Sequence, residues 1–221
     1  MKDSPDAVLR PEQATYLEAL EPGRDELLAR MEARAAERGY PISDPEVAAF
    51  LTITASATRP RFIVELGTNI GYGAIVLSRA AGRDAKVVTI ELSNELCEAA
   101  RGFVEQAGLS DRIEVRQGAA IAELEKISQP IDFIYIDCVK EEYPRYLELA
   151  VPRLAPRGVL VADNALWKGL VARESVPANE RARVEALRAF NLALVGHPDL
   201  RGMILPLGDG LAYATKVSSS G

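Results

Sequence analysis

The sequence predicts an α/β protein of the Rossmann-like class, in which a mostly parallel seven-stranded sheet has helices on both faces. Three observations support this prediction. A β-branched run over Phe62–Leu66 leads into a glycine-rich turn, strand-like segments alternate with helical ones, and the last two apolar segments flank a Gly-Asp-Gly turn. All three observations are explained by a sheet of parallel strands joined by crossover helices and followed by a terminal antiparallel hairpin.

The first 59 residues are predicted to be helical and to precede the sheet. Apolar residues at helical spacing indicate helices over Pro11–Leu20, Gly23–Arg38 and Val47–Ala57. Gly39 is typical of a residue that ends a helix, and Ser43 or Asp44 before Pro45 is typical of one that begins a helix. These helices are expected to cover one face of the sheet; a further role as a lid and dimer surface stays open.

A strand, turn, helix and second strand over residues 62–91 indicate a site for an adenosine-containing ligand. Glycines in the turn let the backbone bend sharply before the helix predicted over Ala74–Ala81. The second strand, Lys86–Ile90, ends in Glu91, where such units place the acid that binds a ribose. Because Asn69 stands where a dinucleotide fingerprint has its second glycine, the phosphate-binding pattern is absent.

The rest of the chain continues the alternation of strands and helices. Strands are predicted at Ile113–Arg116, Ile131–Ile136, Val159–Ala162, Met203–Leu205 and Leu211–Thr215. Helices are predicted at Ser93–Ala107, Ile121–Ile127, Tyr146–Leu154 and Ala182–Val195. The last two strands would form the antiparallel hairpin.

Length and composition indicate one acidic domain spanning residues 1–221, with N-terminal helices at 1–59 and the Rossmann-like core at 60–216. The net charge of −6 predicts no general attraction to nucleic acid or to an anionic membrane. The sequence contains no apolar run long enough to cross a membrane and no signal segment, so a cytoplasmic protein is expected. Cys97 and Cys138 are expected to be reduced thiols.

Polar side chains follow three of the predicted parallel strands. Glu91, Asp137 and the pair Asp163 and Asn164 stand at strand ends, so they should meet at one edge of the sheet. The last three offer hard oxygen ligands, which suit Mg²⁺, Mn²⁺ or Ca²⁺ and argue against zinc. Taken singly, each acid is more typical of a helix cap or turn, and Lys140 of a solvated surface residue. Trp167 is equally typical of a core residue and of a wall for a flat substrate.

Two longer segments resemble the paired signatures of a known family. Residues 136–143, Ile-Asp-Cys-Val-Lys-Glu-Glu-Tyr, and 158–169, Gly-Val-Leu-Val-Ala-Asp-Asn-Ala-Leu-Trp-Lys-Gly, are similar to those of the cation-dependent class I SAM O-methyltransferases. This family includes the catechol and caffeoyl-CoA O-methyltransferases. The Glu-x-Gly-x-x-x-Gly pattern at 65–71 also resembles motif I of class I SAM methyltransferases. The resemblance extends from about residue 42 to residue 216.

The resemblance implies a role for each matching residue. Those implied to bind S-adenosylmethionine are Glu65, Gly67, Asn69, Gly71, Tyr72, Gly73, Glu91, Leu92, Gly118, Ala119, Ala120 and Asp137. Those implied to hold Mg²⁺ are Asp137, Asp163 and Asn164. Those implied to contact the substrate are Tyr40, Lys140, Asn164 and Trp167. Lys140 and Asp137 would act in catalysis, with Lys140 as the general base. Gly73 departs from the family, which usually has a hydroxyl residue there.

The implied reaction is methylation of a hydroxyl on a catechol-like or other small molecule with vicinal oxygens, by a homodimeric enzyme. Two alternatives remain open from the sequence. The first is methylation of a hydroxylated uridine in tRNA, which requires a basic patch at the mouth of the site; Arg59, Arg61, Lys168 and Arg173 are the candidates. The second is a non-catalytic protein that binds S-adenosylmethionine.

Overall fold

The structure is a computed structural model, which describes residues 11–20 and 25–217. Its helices are α1 (Pro11–Ala19), α2 (Glu26–Arg38), α3 (Pro45–Thr58), α4 (Tyr72–Ala81), α5 (Asn94–Gln106), α6 (Ala120–Glu125), α7 (Tyr143–Arg153) and α8 (Arg181–Gly196). Its strands are β1 (Phe62–Leu66), β2 (Lys86–Glu91), β3 (Ile113–Gln117), β4 (Ile131–Ile136), β5 (Leu154–Ala162), β6 (Leu200–Leu205) and β7 (Leu211–Lys216). The predicted helix start at Gly23 lies outside the described residues.

The seven strands form one sheet in the order β3-β2-β1-β4-β5-β7-β6. The first five strands of that order are parallel, whereas β7 runs antiparallel to both β5 and β6. The predicted fold class is therefore confirmed. The chain leaves β1 toward β2 on one side, and β4 lies on the other side. This reversal opens a crevice beyond the carboxyl end of β1, which is where ligands bind in open α/β sheets.

Both faces of the sheet are covered, so the central strands are apolar on both sides. Residues such as Ile63 and Phe133 pack against the α2, α3, α4 and α5 layer. Their neighbours Val64 and Ile134 pack against the α6, α7 and α8 layer. Burial on two sides explains why these strands read as continuous apolar runs instead of alternating ones.

Several predicted boundaries differ from the structure. Strand β6 begins at Leu200 instead of Met203, since Leu200 already pairs with Lys216 of β7. Three further differences have local reasons. Helix α4 begins at Tyr72 instead of Ala74, because left-handed Gly71 already completes the turn. Helix α7 begins at Tyr143 instead of Tyr146, because Pro144 lies in the first turn, where a helix needs no backbone donor. Strand β5 begins at Leu154 instead of Val159, since Leu154 still pairs with Ile131 across an irregularity in the register.

Other local predictions are confirmed. Gly39 ends α2 in the left-handed conformation, and its N–H donates to Ala35. Asp44 occupies the capping position of α3 before Pro45, but its side chain makes no capping hydrogen bond. Both cysteines are free thiols. Across residues 11–20 and 25–217, none of the helices has the length and apolar character needed to span a bilayer.

Candidate active site

The strand ends place three chain segments side by side in the crevice. The N–H of Asp137 donates to the carbonyl of Leu66 at 2.8 Å, and the N–H of Asp163 donates to the carbonyl of Ile136 at 2.9 Å. The glycine turn after β1, Asp137 after β4 and Asp163 after β5 therefore lie on adjacent strands. Neighbouring strands are about 4.8 Å apart, so groups at these ends can share one ligand.

The turn after β1 has a conformation and a spacing that require glycine at position 67. Gly67 has φ +97°, and a Cβ built on it would lie 1.9 Å from the carbonyl oxygen of Asp137. Gly71, with φ +89°, packs against Ala100 on α5. Asn69 between them is also left-handed, with φ +48°. The turn thus packs its backbone directly against the segment that contains Asp137, which only glycine at position 67 allows.

Glu91 is held at the end of β2 by backbone donors. Its two carboxylate oxygens accept hydrogen bonds from the N–H groups of Asn69, at 2.9 Å, and Ser93, at 3.0 Å. Each oxygen keeps a further lone pair for a ligand hydroxyl. The Gly118 N–H donates to the Glu91 carbonyl at 2.9 Å, which brings three further predicted cofactor contacts to the same end of the sheet. These residues are Gly118, Ala119 and Ala120; the predicted contact Leu92 is exposed beside Glu91.

Glu65 lies at the centre of the crevice floor and is fully buried. Thr89 donates to its carboxylate at 2.5 Å, and Thr89 itself hydrogen-bonds Thr68. Burial, helped by the neighbouring carboxylates of Asp137 and Glu91 and opposed by the Thr89 hydrogen bond, raises the pKa of Glu65 to about 8. A Cβ on Gly73 would lie 2.1 Å from Glu65 Oε1. The missing side chain at Gly73 thus leaves the space that the Glu65 carboxyl occupies.

The side chains of two tyrosines among the predicted site residues hydrogen-bond to neighbouring helices. Tyr72 is buried, and its hydroxyl donates to Glu32 of α2 at 2.7 Å. Its side chain therefore points toward α2, and the cofactor contact predicted at this position stays a prediction. The Tyr40 hydroxyl donates to Glu95 of α5 at 3.2 Å, which places this predicted substrate contact on the ribose side of the crevice.

Two carboxylates and a lysine meet at the ends of β4 and β5. Lys140 Nζ donates to Asp137 Oδ1 at 2.7 Å, and the lysine side chain is only 10% exposed. Asp163 is also buried, and its burial together with the nearby charge of Asp137 raises the pKa of Asp163 to about 7. A single ammonium group therefore offsets two adjacent carboxylates, which favours binding of a further cation.

The donor set at this place fits a hard divalent cation. In the part of the chain that the structure describes, no three His, Cys, Asp or Glu side chains gather as a metal-binding group. A metal would thus have Asp137 and Asp163 as its acids and would take its third protein oxygen from the amide of Asn164, which follows Asp163 directly. An all-oxygen set of this kind suits Mg²⁺, Mn²⁺ or Ca²⁺.

Sequence reasoning missed Asp209, which anchors the segment that contains Asn164. Asp209 is buried in the turn between β6 and β7, and burial raises its pKa. Its carboxylate accepts a hydrogen bond from the N–H of Lys168 at 2.5 Å. Asp-Gly in a hairpin is typical of a turn, and that interpretation hid the contact.

Sequence reasoning also missed a buried hydroxyl pair next to Asp163. The Tyr135 hydroxyl donates to Asp163 Oδ2 at 3.3 Å and lies 2.9 Å from the hydroxyl of Ser43. Burial and the nearby carboxylates raise the pKa of Tyr135 well above its usual value, so the hydroxyl keeps its proton. The loop before α3 is therefore connected to the acid at the end of β5. No sequence pattern separates this tyrosine from an ordinary core residue.

Trp167 lies at the rim of the site and is held on several sides. Its indole N–H donates to Glu180 at 2.8 Å. The Lys168 ammonium and the Arg183 guanidinium lie 5.5 Å and 4.8 Å from the ring centroid. The ring is partly buried against the core and keeps some exposed surface, so both roles considered from the sequence are compatible with its position.

Two of the four candidate residues for a basic patch lie away from the mouth of the site. Arg59 ends α3, and Arg61 lies directly before β1, where its N–H donates to Asp132 at 2.9 Å. Both belong to the amino ends of the parallel strands, opposite to the crevice. Lys168 is attached to the site through the hydrogen bond that its N–H donates to Asp209.

Comparison with known proteins gives a consistent result. The sequence model of the family described as O-methyltransferase matches residues 24–217. The catechol O-methyltransferase of Mycobacterium tuberculosis is 35% identical over 194 residues, which cover 86% of each chain. Caffeoyl-CoA O-methyltransferase 1 of Eucalyptus globulus is 26% identical, with 76% of this chain and 72% of that protein covered. The O-methyltransferase from Bacillus cereus, whose crystal structure is in complex with S-adenosylhomocysteine (SAH), is 29% identical in sequence. The two structures superimpose with a TM-score of 0.82 over 93% of this chain and 97% of that one.

Proposed function

Because this chain belongs to the O-methyltransferase family, we propose that it transfers a methyl group from S-adenosylmethionine to a hydroxyl of a small molecule with vicinal oxygens, with the aid of a divalent cation. The observation that carries this proposal is the meeting of Lys140, Asp137, Asp163 and Asn164 beside the glycine turn. A base and an oxygen-rich cation site are thereby adjacent to a cofactor crevice.

The chemistry of the crevice supports S-adenosylmethionine as the methyl donor. The turn lacks the glycine that admits a pyrophosphate, which argues for a ligand without phosphates. Glu91 presents carboxylate oxygens suited to ribose hydroxyls, and Glu65 presents a buried carboxyl suited to the ammonium of an amino-acid end. The related protein from Bacillus cereus was crystallised with SAH, the product of such a transfer.

Asp137, Asp163 and the Asn164 amide oxygen would hold the cation. When bound, a divalent cation stabilises the deprotonated form of an acceptor hydroxyl and leaves coordination positions for the acceptor's two oxygens. The protein's own contribution is to keep two acids close together at low exposure. Lys140 stabilises this pair until a cation binds.

Lys140 is the proposed general base. Once its ammonium group has released a proton to solvent, the neutral Nζ would accept the proton of the acceptor hydroxyl, and the resulting oxygen would attack the methyl carbon in line with the sulfonium. An O–C bond forms as the C–S bond breaks, and SAH leaves. Before a cation binds, the 2.7 Å hydrogen bond to Asp137 keeps Nζ at the crevice.

A catechol-like acceptor fits this arrangement best. Two adjacent oxygens can share one cation, and a flat ring can lie against the exposed part of Trp167. The names of the relatives from Mycobacterium tuberculosis and Eucalyptus globulus place two such acceptors, a catechol and a caffeoyl thioester, within the family. The position of Arg59 and Arg61 at the opposite edge argues against a tRNA acceptor.

Methyl transfer to a panel of paired acceptors tests the proposal. Each pair consists of a catechol and its monohydroxy analogue, assayed with S-adenosylmethionine and Mg²⁺ and again in EDTA. We expect turnover of the vicinal diols with Mg²⁺ alone. Equal turnover of monohydroxy acceptors, or turnover that EDTA leaves intact, would overturn the acceptor class or the cation requirement respectively.

A further inference from the structure

Tyr135 lies between the candidate cation site and the loop that precedes α3, and its hydroxyl contacts both. The hydroxyl donates to Asp163 Oδ2 at 3.3 Å and lies 2.9 Å from the hydroxyl of Ser43. All three side chains are buried. A chain of hydrogen bonds therefore runs from Ser43 through Tyr135 to an acid that is proposed to hold the cation.

The strand register explains why Tyr135 reaches Asp163. Tyr135 of β4 pairs with Val161 of β5, and Asp163 follows Val161 by two residues, so Tyr135 and Asp163 lie on the same face of the sheet. The tyrosine ring packs against Gly73 of α4, where a Cβ would lie 3.4 Å from the ring atom Cε1. Because packing holds the ring, the hydroxyl has a fixed position beside the carboxyl end of β5.

The carboxylate of Asp163 is held at both of its oxygens. Oδ1 accepts a hydrogen bond from the Asn164 N–H at 2.6 Å, and Oδ2 accepts the hydrogen bond from Tyr135. Each oxygen of an ionised carboxylate has two lone pairs, so each keeps one that a cation can use. Donors on two different oxygens fix the rotation of the carboxylate group. Tyr135 supplies the donor that comes from another strand.

Ser43 completes the hydrogen bonds of the Tyr135 hydroxyl. A hydroxyl has a single proton to donate and an ionised carboxylate only accepts, so the Tyr135 proton points to Asp163 when that acid is charged. The Ser43 hydroxyl then donates to the Tyr135 oxygen. Hydrogen bonds in such a chain strengthen one another inside a protein. The loop before α3 thus contributes to the position of the acid through Tyr135.

We propose that Tyr135, supported by Ser43, is a positioning residue that holds the Asp163 carboxylate in the orientation a divalent cation requires. This inference rests on the cation site of the proposed function. Residues that hydrogen-bond a metal ligand from behind typically change metal affinity by about 10–100-fold when they are replaced. Tyr135 acts in this way through Asp163 alone.

Tyr135→Phe tests the proposal, because it removes the hydroxyl and keeps the ring that packs against Gly73. We expect Mn²⁺ binding, measured by titration calorimetry or electron paramagnetic resonance, to weaken by about 10–100-fold, while SAH affinity stays within about threefold of the wild type. The apparent KM for Mg²⁺ in methyl transfer should rise by the same factor as the Mn²⁺ affinity falls, and kcat at saturating Mg²⁺ should be retained. A residue needed only for folding would lower SAH binding and kcat as well.

Tyr146→Phe is the matched control. Tyr146 is also a fully buried tyrosine whose hydroxyl donates to a carboxylate, that of Glu142. It belongs to α7, which packs on the opposite face of the sheet from the Tyr135 ring. This variant should bind Mn²⁺ within about threefold of the wild type.

Ser43→Ala, alone and combined with Tyr135→Phe, tests the contribution of the loop. Because Ser43 acts through Tyr135, Ser43→Ala should weaken Mn²⁺ binding by at least about threefold in the wild type and by less than that in the Tyr135→Phe protein. An equal loss in both backgrounds would mean that Ser43 affects the cation by another route, and would overturn its part in the proposal.

SAH binding and circular dichroism serve as the folding readouts. If Tyr135→Phe binds both SAH and Mn²⁺ as tightly as the wild type, the inference is overturned and the cation site stands. An equal loss of Mn²⁺ affinity in Tyr146→Phe overturns it as well. If the wild-type chain does not bind Mn²⁺ at all, the cation site of the proposed function fails first and the inference with it. If Tyr135→Phe does not fold, Ser43→Ala decides: a selective loss of Mn²⁺ affinity supports the inference, and unchanged Mn²⁺ affinity overturns it.

Discussion

The Nζ atom of Lys140 lies 2.7 Å from Oδ1 of Asp137, so the proposed base is paired with a proposed ligand of the cation. Both side chains lie three residues apart on one turn, and the lysine is nearly buried. The ammonium group occupies one oxygen that a cation would use. Loading of the cation and release of Lys140 are therefore expected to be linked.

Lys140→Met removes the base and keeps the bulk of the side chain. We expect kcat to fall by about 10²–10⁴-fold, the usual contribution of general base catalysis. Mn²⁺ affinity should stay the same or increase, because Asp137 no longer has a competing ammonium. Parallel measurements of turnover and of Mn²⁺ binding check both parts.

Lys126→Met is the matched control for that substitution. Lys126 also pairs with an acid three residues away, Glu123, at 2.5 Å, but its side chain is exposed and lies outside the crevice. This variant should retain wild-type turnover. Turnover of Lys140→Met within tenfold of the wild type would contradict the assignment of the base.

Gly67→Ala tests whether the glycine turn must approach Asp137 as closely as it does. The new Cβ would lie 1.9 Å from a backbone carbonyl oxygen that cannot move aside. Gly82 has the same φ of +97°, but its surroundings are open, so Gly82→Ala carries the backbone strain alone. We expect Gly67→Ala to lower the free energy of unfolding by at least about 2 kcal/mol more than Gly82→Ala, and to abolish SAH binding. Urea unfolding that gives equal losses for the two variants would show that the approach is not tight.

Glu65 should make the ligand-free protein less stable as the pH rises. The pKa of Glu65 is about 8 in the folded protein and near 4.5 in the unfolded chain. The folded state therefore holds a proton that the unfolded state has lost between these values, and the resulting stability disappears as the pH passes 8. We expect the free energy of unfolding of the wild type to fall, relative to Glu65→Gln, by a few kcal/mol between pH 5 and pH 8.5.

Urea unfolding in EDTA, at several pH values in that range, measures this difference. The raised pKa of Asp163, about 7, also lowers the free energy of unfolding as the pH rises. Because Asp163 is present in both proteins, its contribution cancels in the comparison. Parallel pH curves for the wild type and Glu65→Gln would mean that Glu65 is already ionised in the folded protein.

The parts of the fold that depend on local pattern could be predicted from the sequence. Apolar runs predicted the strands from β1 to β5, and Gly39 predicted the end of α2. The convergence of Asp137 and Asp163 followed from the rule that ligands bind at the carboxyl ends of parallel strands. Predicting these features requires only the order of the strands and helices along the chain.

Contacts between distant segments could not be predicted in this way. Ser43 and Tyr135 are 92 residues apart, and Lys168 and Asp209 are 41 apart, so their hydrogen bonds depend on how whole layers pack. Tyr72 was expected to contact the cofactor because of its place in the motif. Its side chain faces α2, where its hydroxyl donates a hydrogen bond to Glu32, and Tyr72 is the first residue of α4.

The most direct test of the account is the Mg²⁺ dependence of catechol methylation by the wild type and by Asp163→Ala, with SAH binding measured on both. Asp163 is buried beside Asp137 and has no assigned contact with S-adenosylmethionine, so its loss should affect the cation alone. The account predicts that EDTA abolishes wild-type turnover, that Mg²⁺ restores it, and that Asp163→Ala stays inactive while it binds SAH. Turnover by Asp163→Ala in EDTA at the wild-type rate would contradict it.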